Sequence, residues 1–479
     1  MQPLYAVRYF ALWYVSSIRA LRMIESSTGQ VSDKLEKVQK PSLLRRVLKG
    51  AAWTFGGHMI SQVIRLANNL VLSRLLFPEA FGLMALVYTF ISGLHLLSDT
   101  GTEVNIIQSK RGDDQAFLNT AWTVDCIRGC ILWLCACLIS VPVANFYNEP
   151  ILVYLLPISG LTTLIGGFKS NKLATANRNL NLGRLTVMGL IIQVTSTVVT
   201  LVLAVVANRA GASRDVAIWA LVAGNIVASI LELILSYTFI PGENNWFQIE
   251  REALVELFKF GRWIFLSTLL TFFAFQGSNL LIPRLVGVGF FGIFSFASNL
   301  SQLASNIVLN LGGRVLFPSF SELHRDRPER LYPVLRQARI LLNGINCIVA
   351  LIFIFFGQLL ISVMYDERYA DAGWILQILA LGSIVTVLAS TYSNVLLAQG
   401  KSYAMTVIMF FQTGFQFTGL LVGYYVGGNF GLVVGTVLAS WATYPVQAIL
   451  YSRLSIWQPE VDLPIIAAAT GIAAFVFLH

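Results

Sequence analysis

The sequence predicts an all-α polytopic membrane protein, in which two six-helix lobes form a parallel pseudo-repeat with twelve to fourteen transmembrane helices. Only 12% of the 479 residues are charged, whereas soluble domains carry about 25%. Apolar runs recur along the chain, and a helix of about 20 residues crosses the roughly 30 Å of hydrocarbon in a bilayer. A short segment that contains an arginine also occurs twice, once in each half of the chain. Composition and periodicity together therefore exclude an ordinary soluble domain.

Thirteen apolar windows follow one another along the chain, and each is expected to be helical because lipid offers the backbone no other hydrogen-bond partners. The last window is short, contains Gly471 and runs to the chain end, so it is an additional helix that is either complete or truncated. The windows are 51–72, 81–100, 117–143, 151–168, 186–206, 216–237, 262–282, 287–311, 331–356, 371–396, 403–426, 428–449 and 462–478.

The repeated link lies at residues 68–82 (NNLVLSRLLFPEAFG) and again at 278–292 (SNLLIPRLVGVGFFG). An even number of helices in each repeat gives both halves the same orientation, and parallel repeats of this kind build transporters. The identical pairs are Asn69/Asn279, Leu70/Leu280, Arg74/Arg284, Leu75/Leu285, Phe81/Phe291 and Gly82/Gly292. We therefore divide the chain into a basic amphipathic tail (1–41), an N-lobe with helices 1–6 (42–245), a C-lobe with helices 7–12 (246–456) and the additional C-terminal helix (457–479).

Lysine and arginine are distributed unequally between the two sides of this topology. If the N-terminus lies in the cytoplasm, the inner segments hold 24 basic residues and the outer links hold five, as the positive-inside rule requires. The net charge of +9 then reflects contact with anionic lipids and not with nucleic acid. The tail is either an interfacial amphipathic helix or a stretch upstream of the true start.

Polar residues inside the windows are costly in lipid and usually face a cavity or a partner. Arg65 lies about 21 Å along the first window at 1.5 Å per residue, and it shares a helical face with Gln62 and Asn69. Arg128 follows Asp125 by one turn in the third window. Either Arg128 faces a cavity or it simply pairs with this neighbour.

Further candidates lie in the C-lobe and at the end of the second window. Arg262 is on the seventh helix, and Arg339 lines up with Asn343 on the ninth. Asp99 and Asp125 either couple transport to H⁺ or Na⁺ or serve as local counter-ions. The five cysteines all fall in windows, where small apolar residues are expected, so we expect no disulfide or metal site. We also predict no catalytic residue and no cofactor.

Four stretches carry a resemblance to a known family: FGLMALVYTFISGLHLLSDTGTEVNIIQSK from residue 81, then LNTAW, FKFGRW and GRVLFPSFSEL. In this order they resemble the polysaccharide transporter family of the MOP superfamily, the Wzx-type flippases of lipid-linked oligosaccharides, over residues 43–456. The resemblance implies a multi-pass protein of the bacterial inner (plasma) membrane that exports undecaprenyl-pyrophosphate-linked repeat units for exopolysaccharide or lipopolysaccharide. It also implies a polysaccharide polymerase and co-polymerase as partners.

For such a cargo, the polar residues above predict a cationic cavity between the lobes. An arginine guanidinium holds phosphate oxygens in bidentate geometry and stays charged, whereas amides can meet sugar hydroxyls. Two alternatives remain open: a MATE-like antiporter of cations or drugs, and a membrane glycan polymerase or ligase. The excess of intramembrane arginine disfavours the former, and the short outer links disfavour the latter. The predicted cavity residues are Arg65, Arg128, Arg262, Arg339, Gln62, Asn69 and Asn343.

Overall fold

The computed structural model describes residues 43–99, 101–109, 111–179, 181–211, 214–311, 320, 328–399 and 401–478. The N-terminal tail and the Arg314–Pro318 motif lie outside these residues. Two 3₁₀ turns, Pro328–Arg330 and Glu367–Tyr369, precede the tenth and eleventh α-helices. The α-helices are α1 Leu43–Leu75, α2 Pro78–Leu97, α3 Thr102–Gln108, α4 Gln115–Tyr147, α5 Leu152–Gly167, α6 Lys172–Arg178, α7 Leu182–Arg209, α8 Arg214–Thr238, α9 Arg251–Leu311, α10 Leu331–Met364, α11 Asp371–Ala398, α12 Ser402–Arg453 and α13 Pro459–Leu478.

Two of these helices are each a pair of spans joined at glycine. Helix α9 breaks at Gly287, which has φ 79° and ψ 161°, a conformation that residues other than glycine rarely adopt. Helix α12 breaks at Gly427 and Gly428, and the latter has φ 58°. With these breaks, every predicted window coincides with a helical segment, and the all-α prediction is confirmed.

By length and composition, eight helices of the described chain are able to cross a membrane, or nine if the bent pair α5–α6 counts as one span. Two of the eight, Thr271–Leu303 and Tyr403–Arg453, each contain a glycine break and therefore hold parts of two predicted windows. Helices α5 and α6 meet at 61°. The residues between them, 168–171, are directed into the N-lobe.

The repeat brings its two copies of Phe–Gly face to face. Helix α2 packs closely against the second half of α9. The contact leaves room only for glycine, since a Cβ on Gly82 would overlap the carbonyl oxygen of Val288 and one on Gly292 would overlap that of Pro78. Phe291 beside this contact is fully buried. The two lobes therefore share one apolar core at the crossing of α2 and α9.

Beside this crossing, residues at or near the ends of helices form hydrogen bonds between the two lobes. The hydroxyl of Tyr369 donates to the carbonyl of Leu76 (3.1 Å), and that of Tyr147 donates to the carbonyl of Leu280 (2.7 Å). Arg368 donates to the carbonyl of Arg74 (3.1 Å). We call this the Tyr369 end of the molecule, and in this conformation the lobes are closed there.

The connection between the lobes is an extended segment, residues 241–250, which we call the interlobe linker. It lies along the first turns of α4, where the Asn119 amide oxygen accepts from Trp246 N–H (3.2 Å). The Thr123 hydroxyl oxygen accepts from Gln248 N–H (3.1 Å), and the Thr120 hydroxyl oxygen from Glu250 N–H (3.0 Å). The LNTAW motif is thus the surface on which the linker is held.

Candidate functional site

A cavity of about 600 Å³ lies inside the N-lobe, among α2, α3, α4, the bend between α5 and α6, α7 and α8. Charged and ionisable side chains dominate its polar lining, although it is surrounded by membrane-spanning helices. Among them are four carboxylates, two cations and one histidine: Asp99, Glu103, Asp125, Glu232, Arg128, Lys169 and His95. Such a concentration is costly in lipid and points to function.

Arg128 reaches across this cavity from α4 to the end of α2. Its Nε donates to the Ser98 hydroxyl (2.9 Å) and one terminal nitrogen donates to the His95 carbonyl (2.8 Å). The Asp125 carboxylate is 3.9 Å away, which is an ion pair without a close hydrogen bond. The neighbouring carboxylate therefore holds Arg128 only loosely, and part of its guanidinium remains directed at the cavity.

The two predicted ion-coupling residues, Asp99 and Asp125, line this same cavity. Asp99 accepts from Gly101 N–H (2.8 Å), a turn in which Gly101 has φ 64° and starts α3. The next residue, Thr102, donates its hydroxyl to Asp125 (3.1 Å). The turn after Asp99 thus brings Thr102, the residue that follows Gly101, into contact with α4 in the third predicted window.

Lys169 and Glu232 form the second ion pair of the cavity (3.0 Å). Lys169 lies in the bend between α5 and α6, in the short link that follows the fourth predicted window. Glu232 lies on α8, within a span. A carboxylate inside a predicted window that holds no basic residue, here 216–237, indicates a partner from elsewhere in the chain. The sequence does not say which of the many link lysines that partner is.

The polar face predicted on α1 exists, but it lies outside this cavity. Arg65 is exposed and has no carboxylate partner among the residues described here. Gln62 and Asn69 are partly buried, and the amide nitrogen of Gln62 lies 3.3 Å from the ring of His58. Arg65 therefore has no carboxylate partner among the described residues, whereas Gln62 contacts His58.

Arg339 differs from the cavity residue that the sequence predicts, because it is fully buried and each of its donors has an acceptor. Its five N–H groups are directed at the Thr391 hydroxyl (2.9 Å), the Tyr392 hydroxyl (2.6 Å), the Gln458 amide oxygen (3.3 Å), the Leu388 carbonyl (3.3 Å) and the Asp462 carboxylate. No donor is left for a cargo. In this conformation Arg339 holds α13 against α10 and α11, and we exclude it from the site proposed below.

Asn343 is buried one turn further along α10, and neither polar atom of its amide has a hydrogen-bond partner. Asn346 is buried beside it and donates to the Ser383 carbonyl (3.3 Å). The seventh-helix candidate, Arg262, lies within α9, but its side chain is outside those that the structure describes. Among the side chains that the structure describes, the predicted residues are therefore not brought together in one cavity: Arg128, Asp99 and Asp125 share the N-lobe cavity, whereas Arg65, Arg339, Gln62, Asn69 and Asn343 do not line it.

No group of three or more His, Cys, Asp or Glu side chains within the described ranges is placed to hold a metal ion. The charged groups of the N-lobe cavity are mostly paired with one another, and a cavity of this kind suits the exchange of small cations between carboxylates. The exposed Arg65 suits a phosphate group.

Comparison with known proteins places the chain among transporters of polysaccharide assembly. Residues 71–373 match the family model described as "Polysaccharide biosynthesis protein". The succinoglycan biosynthesis transport protein ExoT of Rhizobium meliloti (strain 1021) is 24% identical over 69% of this chain and 65% of its own length. The lipopolysaccharide biosynthesis protein WzxC of Escherichia coli (strain K12) is 21% identical over 90% and 89%. The teichuronic acid biosynthesis protein TuaB of Bacillus subtilis (strain 168) is 22% identical over 91% and 89%.

Solved structures share the fold at lower identity. An inward-facing multidrug resistance MATE family transporter of the MOP superfamily superposes with a TM-score of 0.66 and 16% identity, over 83% of this chain and 94% of that one. The lipid II flippase MurJ, in its inward closed conformation, superposes with a TM-score of 0.63 and 14% identity, over 90% and 92%. The chain thus has the MOP fold.

Proposed function

The chain belongs to the polysaccharide biosynthesis protein family, and from this membership we propose that it is a flippase for undecaprenyl-pyrophosphate-linked oligosaccharide in the bacterial inner membrane. The observation that carries the proposal is the family match, which covers more than half of the chain. The relatives are named for three different polysaccharides, so the common feature is a glycan product and not one particular sugar. A polymerase and a co-polymerase would then receive the translocated repeat unit.

We propose that the N-terminus is cytoplasmic, so that the Tyr369 end faces the periplasm. The count of basic residues on the two sides supports this orientation. A cargo would then enter between the lobes from the cytoplasmic side, with its lipid tail left in the bilayer. The lobes would release it outward by parting at the contacts of Tyr369 and Tyr147. Because this end is closed, the cargo would be exposed to only one side of the membrane at a time.

We propose Arg65 as the residue that contacts the cargo pyrophosphate. A pyrophosphate that leaves water needs a cation beside it, because the desolvation of unpaired charge is expensive. Arg65 is a cation in a span without a carboxylate of its own in the described chain, and arginine binds phosphate oxygens in bidentate geometry. Gln62 and Asn69 lie on the same face and would contact sugar or phosphate oxygens, and Arg262 and Asn343 remain predictions.

We propose that the N-lobe cavity couples this movement to an ion gradient through Asp99 and Asp125. Its charged lining has four carboxylates and two cations, so it suits H⁺ or Na⁺ better than an anionic cargo. Binding of a cation to Asp125 would compete with Arg128 (3.9 Å) and with the Thr102 hydroxyl of α3 (3.1 Å) for that carboxylate. The site of coupling and the site of the cargo would then be separate.

A second function, antiport of cationic drugs, is favoured by the same acid-rich cavity. An organic cation would occupy the cavity instead of a small ion, and the MATE transporter shows that the fold is suited to multidrug resistance. Arg65 distinguishes the two functions. An exposed guanidinium can bind a pyrophosphate, whereas it offers no favourable contact to a cationic drug.

The experiment measures how much of a labelled undecaprenyl-pyrophosphate oligosaccharide becomes accessible in the opposite leaflet of sealed proteoliposomes. Wild type is compared with Arg65→Ala and Arg65→Lys, and with Arg336→Ala as the control, because Arg336 is exposed at the start of α10 beside Glu460 (4.0 Å). We expect translocation by wild type and by Arg336→Ala, a loss in Arg65→Ala and a partial recovery in Arg65→Lys. Equal translocation by all four would remove Arg65 from the site. No translocation by wild type, with uptake of cationic drugs under an ion gradient, would establish the antiporter.

A further inference from the structure

The bend between α5 and α6 interrupts the helical hydrogen-bond pattern inside the N-lobe. Buried backbone N–H groups at such a break need acceptors from other segments, because unpaired polar groups away from water are costly. Ser170 N–H donates to the Ser236 hydroxyl of α8 (3.0 Å). Asn171 N–H donates to the side-chain oxygen of Asn245 (3.1 Å), a residue of the interlobe linker. The backbone of the bend is therefore completed by α8 and by the linker.

Two consecutive linker residues hold three consecutive residues of the bend. The side-chain oxygen of Asn245 accepts a second bond, from the Ser170 hydroxyl (2.9 Å). The side-chain oxygen of Asn244 accepts from the Lys172 ammonium (2.8 Å). The Asn245, Ser170, Asn171 and Lys172 residues are all buried, so these bonds are shielded from water. The linker is thus packed into the N-lobe behind residues 170–172.

The residue that precedes this fastened segment is Lys169, whose ammonium pairs with Glu232 in the N-lobe cavity (3.0 Å). Glu232 lies one turn before Ser236 on α8, so one face of α8 meets both Lys169 and Ser170. Lysine has a flexible stem, and its side chain does not fix its own position. The backbone of the bend therefore sets where the Lys169 side chain enters the cavity.

We propose that Asn245 is a positioning residue for the ion coupling described above. By holding residues 170 and 171, it keeps Lys169 paired with Glu232, and the proposal rests on the proposed role of the N-lobe cavity. The lining of that cavity runs from His95 to Glu232 in the chain, whereas Asn245 belongs to the segment that leads into the C-lobe. Displacement of the linker would release Lys169 and leave the Glu232 carboxylate available to a cation.

The test measures how fast a cysteine at position 169 reacts with a cationic methanethiosulfonate in detergent. The full chain carries Lys169→Cys, and its five native cysteines (126, 130, 135, 137 and 347) are replaced by alanine. Asn245→Ala is compared with Asn245→Asp, which keeps an oxygen acceptor. Gln248→Ala is the matched control, because Gln248 on the same linker accepts from Asn119 of α4 (2.9 Å). A parallel series carries Glu103→Cys, which reports on another residue of the cavity lining.

We expect Asn245→Ala to accelerate the reaction at position 169 about fivefold, since two neutral hydrogen bonds to the bend are lost. The rate should return towards that of the parent in Asn245→Asp and stay unchanged in Gln248→Ala. An unchanged rate in Asn245→Ala would overturn the proposal. An equal acceleration at position 103 would also overturn it, because the N-lobe would then be loosened as a whole. Each protein must elute from size exclusion as its parent does.

A transport measurement with the native cysteines in place separates this proposal from the one on which it rests. Under an ion gradient, Asn245→Ala should lower translocation of the labelled lipid-linked oligosaccharide, and Asn245→Asp should restore it. Asn245→Ala added to Lys169→Met should cause no further fall, because Lys169 is the residue through which Asn245 acts. A further fall would overturn the proposal. If wild type translocates nothing, the proposed function fails, and the reaction rates at position 169 still decide whether Asn245 positions the bend.

Discussion

Arg339 on α10 and Asp462 on α13 form a fully enclosed ion pair, and neither side chain is exposed. The second oxygen of the Asp462 carboxylate accepts from the hydroxyls of Tyr392 (2.9 Å) and Tyr444 (2.6 Å). A charge removed from water is tolerated only with such complete pairing. This pair therefore fixes where the last helix docks, and it requires both partners.

We expect Asp462→Ala to destabilise the protein by about 3–5 kcal/mol, because it leaves the charge of Arg339 buried without a partner. Glu460→Gln is the matched control: it lies two residues away, pairs with the exposed Arg336 at 4.0 Å, and should cost less than about 1 kcal/mol. Thermal unfolding of the purified protein in detergent, followed by loss of the monodisperse peak, compares the two. Similar midpoints for both variants would mean that the buried pair does not anchor α13.

We expect Gly82→Ala to weaken closure of the Tyr369 end, because the added Cβ would overlap the Val288 carbonyl at the crossing of α2 and α9. Overpacking of this kind costs about 1–3 kcal/mol. Gly56→Ala is the control, since nothing lies within 4 Å of its added Cβ, and alanine is the better helix former. The measurement is the yield of a cross-link between cysteines introduced at positions 77 and 368. An unchanged yield in Gly82→Ala would contradict the role of this contact.

We expect transport to be retained in part when the two charges of the Lys169–Glu232 ion pair are exchanged. Lys169→Glu places two carboxylates where an ion pair of 3.0 Å stood, so transport should fall. Adding Glu232→Lys should restore part of it, with a coupling of about 0.5–3 kcal/mol between the two sites. The readout is leaflet exchange of the labelled lipid-linked oligosaccharide, with protein levels matched. A double variant no better than the single one would show that position, and not charge, matters there.

We expect Asn119→Ala to loosen the interlobe linker. The Asn119 amide oxygen accepts from Trp246 N–H (3.2 Å) and its nitrogen donates to the Gln248 side chain (2.9 Å), so both contacts are lost. A neutral hydrogen bond contributes about 0.5–1.5 kcal/mol. Limited proteolysis should then cut within the linker faster than in wild type. Asn177→Ala, which loses a single long contact to Glu103 (3.4 Å), should leave the rate of cutting unchanged.

We expect the contact of Asp366 at the Tyr369 end to be insensitive to pH between 5 and 8. The Arg368 guanidinium donates to Asp366 (2.8 Å) and holds the pKa of that carboxyl below its usual range. A lowered pKa stabilises the folded state above the usual aspartate value of about 3.9, and this stabilisation is lost as the pH falls through the lowered value. The midpoint difference between wild type and Asp366→Asn should be constant from pH 5 to 8 and shrink below about pH 4. If the midpoint difference between wild type and Asp366→Asn changed near neutral pH, the stabilisation would not come from the lowered pKa of Asp366.

The sequence predicted the helices well because each apolar window is a local property of the chain. It also placed Arg339 and Asn343 on one face of α10, and both are buried. Helical spacing alone, however, does not reveal which residues of other helices contact that face. The partner of Arg339 is 123 residues further along the chain, and Lys169 meets Glu232 through a bend that looks like an ordinary link. Pairs of this kind arise from tertiary packing, which composition and periodicity do not encode.

The attachment of the interlobe linker to α4 limits how the lobes can move. A free extended segment of ten residues would let its ends separate by up to about 35 Å. The seven residues from Asn244 to Glu250 are instead tied to α4 by hydrogen bonds, and Glu256 beyond them accepts from Ser109 of the N-lobe (2.8 Å). These contacts leave almost no free length of chain between the N-lobe and the C-lobe at this point. Any reorientation of the C-lobe that keeps these hydrogen bonds is therefore a rotation about the start of α9.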